Sequence, residues 1–246
     1  MEGILDWFES IKADFILNFI TKDRWLLLAK GLGNTLLMTV YALLIGVVIG
    51  IVIAVIRSTW DLNSSRMKNP VGKFIFSILN KIAVIYTTVL RGTPMVIQLL
   101  ILYYVVFAWS SEGLLVASLS FGLNSGAYVA EIFRGGIMSI DKGQFEAGNS
   151  LGFNYIQTMW YIVAPQMFKN VRPTLANEFI VLLKETSIAG YATVNDLTYA
   201  GNRIRGVTYS PFMPLIAVAL IYLGLVMILT HFVGKLERRL RQSDNR

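Results

Sequence analysis

The sequence predicts an all-α integral membrane protein with five transmembrane helices, and three observations carry that prediction. Apolar runs near 20 residues recur along the 246-residue chain, and about that length is needed to cross the hydrocarbon core of a bilayer. Only 15% of the residues are charged and 55% are hydrophobic, where ordinary soluble domains carry roughly 25% charged residues. Lysines and arginines are divided unequally between alternate connections, as expected when positive charge is kept on the cytoplasmic side.

The first span, 31–56, runs without a charge through GLGNTLLMTVYALLIGVVIGIVIAVI. Its Gly46 and Gly50 form a GxxxG pair, read as a packing face for another helix. The second, 74–109, is too long for one straight crossing and is interrupted by Lys81 and Arg91. An interfacial approach from about Phe74 is expected to lead into the cleaner run TPMVIQLLILYYVVFAW. The third, fourth and fifth spans are expected at 114–133, 178–197 and 211–232. The segment 1–30 precedes them as an extracytoplasmic or interfacial stretch, 31–236 forms the membrane domain, and 237–246 is a basic tail.

Five crossings put the termini on opposite sides. One side collects Arg57, Arg66, Lys68 and Lys73, then Arg134, Lys142, Lys169 and Arg172, then Lys235, Arg238, Arg239, Arg241 and Arg246. The other side holds Lys12, Lys22, Arg24, Lys30, Arg203 and Arg205. The richer side is cytoplasmic, which places the N-terminus outside, the C-terminus inside and the long segment 134–177 in the cytoplasm. The net charge of +7 therefore needs no nucleic-acid partner. The opening MEGILDWFESIKADF has neither the basic start nor the small-residue cleavage site of a signal peptide. Without cysteine there is no disulfide framework, thiolate metal ligand or cysteine nucleophile. The single His231 cannot build a zinc site or a catalytic triad alone, and it is read as an interfacial or packing residue. No catalytic residue and no metal site are expected.

Within 134–177, the residues QFEAGNSLG predict a helix of about two turns. Glu146 is placed near its positive end, and Gly152 suits a left-handed cap at the other. Ala147 and Gly148 leave one side almost bare, where another protein can approach the backbone; an ordinary interfacial helix would look the same. Gln144, Ser150 and Leu151 complete the face.

These residues resemble the cytoplasmic EAA motif of the permease subunits of ATP-binding-cassette (ABC) importers. In that motif Glu-Ala-Ala is followed by three residues, Gly, nine residues and Ile-x-Leu-Pro. Here Glu146, Ala147 and Gly148 precede Gly152, Ile162 and Pro165 at that spacing, with Gly148 for the second Ala and Ala164 for Leu. GLGNTLLMTV, VLRGTPMVIQLLILYY, NSGAYVAEIFRGGI, IDKGQFEAGNSLG and ANEFIVLLKETSI are similar, in order, to polar amino-acid permeases of the histidine/glutamine/arginine type. The resemblance implies a type I importer fold and a multi-pass place in a bacterial cytoplasmic membrane. It also implies two ATPase subunits that bind ATP and Mg, an extracytoplasmic binding protein, and a second permease subunit, with a homodimer favoured. The 144–152 helix would be the coupling helix, and the chain itself would carry no cofactor. No GxxxxGK[ST] phosphate loop occurs in the sequence, so ATP hydrolysis is expected on separate subunits.

Polar residues inside spans face partners or aqueous cavities. Gln98, Asn124, Ser125, Tyr128, Glu131, Glu185, Thr186 and Ser187 offer the donors and acceptors that a zwitterionic amino acid needs, although interhelical hydrogen bonding would use the same groups. Glu131 and Arg134, three apart on one helical face, are read chiefly as a structural or gating pair. Arg91, Gly92 and Pro94 form a hinge or packing kink, and Pro165 a further packing position. Two other function classes remain. An ion-coupled secondary amino-acid transporter would put Glu131 and Glu185 in coupling, though no repeated half is evident. A membrane scaffold would leave the intraspan polar residues without a use.

Overall fold

A computed structural model describes residues 2–65 and 67–244, with side chains from residue 6 to residue 235. Arg66, Arg246 and the side chains of the tail 237–246 lie outside the described residues. Helix α1 (Glu2–Phe15) continues through a π turn (Ile16–Ile20) and a 3-10 turn (Thr21–Asp23). Lys22 and Asp23 take positive φ there, which separates this segment from α2 (Trp25–Asn63). Helix α3 (Pro70–Gly92) begins at Asn69, whose side-chain oxygen accepts from the Val71 and Gly72 amides, with Pro70 in the first turn. It is followed by α4 (Met95–Ile101) and a π turn (Leu102–Val106), then α5 (Gly113–Met138) and α6 (Lys142–Ser150). Helix α7 (Tyr155–Thr158) runs through a π turn (Met159–Val163) into α8 (Ala164–Glu185). A 3-10 turn (Thr186–Ala192), α9 (Leu197–Thr208) and α10 (Phe212–Asp244) complete the chain. Among the described residues there is no strand.

Among the described residues, four stretches are long and apolar enough to cross a bilayer: α2, α3, α5 and Phe212–Lys235 of α10. The expected second span is divided, because Thr93 is extended (φ −119°, ψ 148°) before Pro94, a residue that disfavours helix in its predecessor and lacks an amide donor. The expected fourth span is not one helix. Helix α8 starts at Ala164, carries Pro173 inside it and ends at Glu185, and the next seven residues tighten to 3-10 geometry before Thr193 turns left-handed. Hydropathy alone could not place α8, whose first half is polar (Gln166, Lys169, Asn170, Arg172).

The chain forms two compact units. In the unit of residues 42–95, 121–179 and 235–246, Ala54, Val129, Phe133, Ile137, Val163 and Val171 form the core. Small residues on α2 and α5 let the two helices meet closely. A Cβ at Gly50 would stand 2.5 Å from Val129 Cγ1, and one at Gly122 would stand 2.7 Å from Ile45. The GxxxG pair of α2 therefore faces another, Gly122 and Gly126, on α5.

In the unit of residues 1–41, 96–120 and 180–234, Phe19, Leu28, Leu197, Ala200, Ile204 and Val218 form the core. Buried Asp196 caps α9 by accepting from the Thr198 and Tyr199 amides at 3.1 and 2.8 Å. The Leu197 amide donates to Thr35 Oγ1 of α2 at 3.0 Å.

Candidate functional site

Helix α6 is fixed at both ends by local chemistry. Asp141 Oδ1 accepts from the Gly143 amide at 2.7 Å. At the other end Gly152 takes φ +77°, the Phe153 amide donates to Gly148 O and the Gly152 amide to Asn149 O, each at 3.0 Å. That pair of bonds around a left-handed glycine is a Schellman cap. Because the helix starts at Lys142, Glu146 sits in its second turn and the helix dipole is met by Asp141 instead. Gln144, Glu146, Ala147, Ser150, Leu151 and Gly152 are exposed.

Gly148 is placed differently from the sequence expectation. It is buried, and a Cβ there would lie 2.7 Å from Thr158 Oγ1 and 3.2 Å from Ile162 Cδ1. The bare side of α6 at this position is thus turned into the protein and covered by its own chain. Helix α7 is held in place by a capping box between Asn154 and Gln157. Tyr155 donates to Thr59 Oγ1 at 3.3 Å, and Gln166 of α8 donates to Gln144 Oε1 at 3.2 Å. Burial pushes the Tyr155 phenol above its ordinary pKa, with hydrogen bonds to Thr59 and Asn63 acting the other way. Pro165 is exposed in the first turn of α8, a position that tolerates proline. Beside α6 a cleft of about 510 Å³ is lined by Asp61, Asn63, Lys142, Glu146, Asn149 and Tyr155 among others.

A second constellation lies along α5. Asn124 Nδ2 donates to Leu90 O at 3.0 Å, and Ser125 Oγ donates to Glu178 Oε1 of α8 at 3.1 Å. Tyr86 donates to Leu123 O at 2.6 Å. The Arg91 guanidinium stands 5.2 Å from the ring centre of Tyr128, a cation–π distance at the α3 break formed by Gly92 and Pro94. One turn further along α5, Arg134 donates through Nε and Nη2 to Glu131 Oε2 at 3.1 and 3.0 Å. Arg57 of α2 binds the other Glu131 oxygen, and Arg134 also reaches Asp61 Oδ2 at 3.3 Å. The anticipated Glu131–Arg134 pair is therefore half of a four-residue ion network.

In the other unit, Gln98 is buried in α4. Glu185 ends α8, and Thr186 and Ser187 open the 3-10 turn. Thr186 is fully buried and donates to Leu183 O at 2.7 Å, so its hydroxyl proton is engaged by the backbone. Sequence reading missed Arg57, Asp61, Glu178 and Thr158. Arg57 reads as a loop charge at the end of a span and Asp61 belongs to no motif, and their partners are 74 and 73 residues away. Glu178 marked a span boundary, and an acid at that point was the only available signal.

The family described as "binding-protein-dependent transport system inner membrane component" matches residues 71–242. The arginine transport system permease protein ArtQ of Bacillus subtilis (strain 168) is 38% identical over 219 residues, covering 87% of this chain and 93% of that protein. A putative glutamine transport system permease protein GlnP of Rickettsia bellii (strain RML369-C) is 34% identical over 230 residues, covering 92% and 98%. Among solved structures, a chain from an amino acid ABC transporter with histidines superposes with a TM-score of 0.76 at 35% identity, over 90% of this chain and 98% of that one.

Proposed function

The chain belongs to the family of binding-protein-dependent transport system inner membrane components, and from that premise we propose that it carries a polar amino acid into the bacterial cytoplasm as one permease subunit of an ATP-driven importer. The relatives are permease subunits of amino-acid transport systems, which supports this reading over an ion-coupled transporter. The engagement of both Glu131 oxygens by arginines also weighs against Glu131 as a proton carrier. No phosphate loop is present in the sequence, so ATP and Mg are assigned to two separate ATPase subunits. A binding protein delivers substrate from outside, and a second copy of the permease completes the pathway.

The observation that carries the coupling role is the construction of α6. A nine-residue helix capped at both ends presents Gln144, Glu146, Ala147, Ser150 and Leu151 outward, while Gly148 fastens it inward. Such a helix moves as one piece with α7 and α8, which is what transmission of ATPase closure to the spans requires. Substrate contact is assigned in one unit to Asn124, Ser125 and Tyr128, joined by Glu178. In the other it is assigned to Gln98, Glu185 and Ser187, with Thr186 shaping the wall. The carboxylate of Glu178 suits a substrate ammonium or guanidinium.

The test is uptake of labelled arginine, glutamine and histidine into liposomes that contain the chain with a co-expressed ATPase subunit and its binding protein. ATP-dependent uptake is expected. Uptake by the chain alone under an ion gradient would overturn the proposal. Glu146→Lys is expected to abolish substrate-stimulated ATPase activity while the membrane domain keeps its melting temperature, and normal coupling in that variant would remove α6 from the docking site.

A further inference from the structure

The N-terminal helix presents an apolar stripe that is largely exposed. Trp7 and Phe8 are each 59% exposed and Phe15 is 49% exposed, while Ile11 is half-buried. At positions 7, 8, 11 and 15 these residues share one helical face. Asp6, Glu9 and Lys12 are exposed and Asp14 half-buried, and they lie largely on the remaining circumference. The helix is amphipathic, and its polar side is acidic.

Its far end is tied down beside the spans. Asn18 is buried, donates to Ser210 Oγ at 3.1 Å and to Asp14 O at 2.8 Å, and accepts from Thr208 Oγ1 at 2.8 Å. Phe15 and Phe19 rings meet at 5.1 Å, and Phe19 enters the core formed with Leu28 and Val218. Residues 208–210 lead directly into α10, and only the 3-10 turn and Arg24 separate the segment from α2. Both span ends display exposed aromatics there, Trp25 on α2, Tyr209 just before α10 and Phe212 at its start, as interfacial belts do. The stripe is therefore tethered at its Phe15 end to the ends of two candidate spans, with no spare chain to carry it away.

We propose that Glu2–Ile20 is an in-plane anchor, lying in the headgroup region of the leaflet at the Trp25 end of α2 with Trp7, Phe8, Ile11 and Phe15 immersed in lipid. The ligand is the bilayer surface itself. An acidic polar face gains nothing from anionic headgroups, so insertion is driven by apolar burial and depends little on lipid charge or salt. The placement rests on the reading of α2 and α10 as spans.

The natural absence of cysteine makes the test direct. Single substitutions Phe8→Cys, Ile11→Cys, Phe15→Cys, Asp6→Cys and Glu9→Cys in the full chain are spin-labelled and reconstituted in phosphatidylcholine vesicles, with Val48→Cys in α2 as a control. Positions 8, 11 and 15 should be accessible to oxygen and shielded from an aqueous nickel chelate at a depth of about 5–10 Å, and positions 6 and 9 should show the reverse. The pattern should survive 1 M salt and the addition of anionic lipid. Access of the chelate to all five positions would overturn the proposal. So would protection of positions 8, 11 and 15 from both reagents, which would assign the stripe to a second copy or another protein. A water-exposed label at Val48, 64% exposed in the apolar run of α2, would instead overturn the reading of α2 as a span.

Discussion

Gly148 and Thr158 are so close that a Cβ on the glycine would stand 2.7 Å from Thr158 Oγ1 and 2.8 Å from its Cγ2. The family motif has alanine at this position, and the local chemistry explains the change. Helix α7 presses a β-branched side chain onto the backbone of α6, and only glycine leaves room. Gly148→Ala gains about 1 kcal/mol of helix preference but overpacks a buried contact at a cost of about 1–3 kcal/mol. A lower melting temperature and weaker substrate-stimulated ATPase activity are expected. Thr158→Ala in the same chain should restore both, since the Thr158 hydroxyl has no hydrogen-bond partner among the described residues. A more stable, fully coupled Gly148→Ala single variant would show that α6 and α7 are not packed in this way.

Much of this was legible in the sequence, for identifiable reasons. The helix around Glu146 and its end at Gly152 follow from local signals, a cap and a glycine, that act within a few residues. The Glu131–Arg134 pair was legible because both partners share one helical turn. Gly148 misled because a bare helix side looks alike whether a partner protein or a threonine ten residues later fills it. The end of α8 was hidden for a different reason: VLLKETSIAG has no proline or glycine at Glu185–Thr186, where its backbone changes from α to 3-10. Arg57, Asp61 and Glu178 became functional candidates only when distant helices were brought together.

Glu131 holds Arg57 and Arg134 on its two oxygens, and the side chains of the three residues are 17–29% exposed. Exposed pairs are worth up to about 1 kcal/mol, and removal of one member of a buried pair costs about 3–5 kcal/mol. Glu131→Gln leaves two guanidiniums facing each other and should fall between these, at about 2 kcal/mol. A double-mutant cycle with Arg134→Gln, read by thermal unfolding in detergent, is expected to show coupling well above that of a surface pair. Additive effects would mean that the network contributes no specific interaction.

Gly31 and Gly33 are two residues apart in α2, yet they have opposite surroundings. A Cβ at Gly31 would be 2.7 Å from Asp196 O and 3.0 Å from Ala200 Cβ, whereas one at Gly33 would meet nothing within 4 Å. Gly31→Ala collides with the backbone that caps α9 and should destabilise by about 1–3 kcal/mol. Gly33→Ala should be neutral or stabilise by up to about 1 kcal/mol. Comparison of the two melting temperatures in one detergent checks the pair, and equal shifts would contradict the close approach of α2 to α9.

Glu178 accepts from Ser125 at 3.1 Å, which permits a substitution that separates charge from structure. Glu178→Gln keeps the size of the side chain and an oxygen able to accept from Ser125, so the fold and the melting temperature should be preserved. It removes the negative charge proposed to meet the substrate's cationic group. ATP-driven uptake should fall at least tenfold, equivalent to about 1.4 kcal/mol, and arginine should lose more than glutamine because its second positive charge loses the same partner. Ser125→Ala should have a smaller effect, since it removes one neutral donor and leaves the carboxylate. If Glu178→Gln transports at the normal rate, the Ser125–Glu178 bond is an interhelical tie and the substrate's charge is met by other residues.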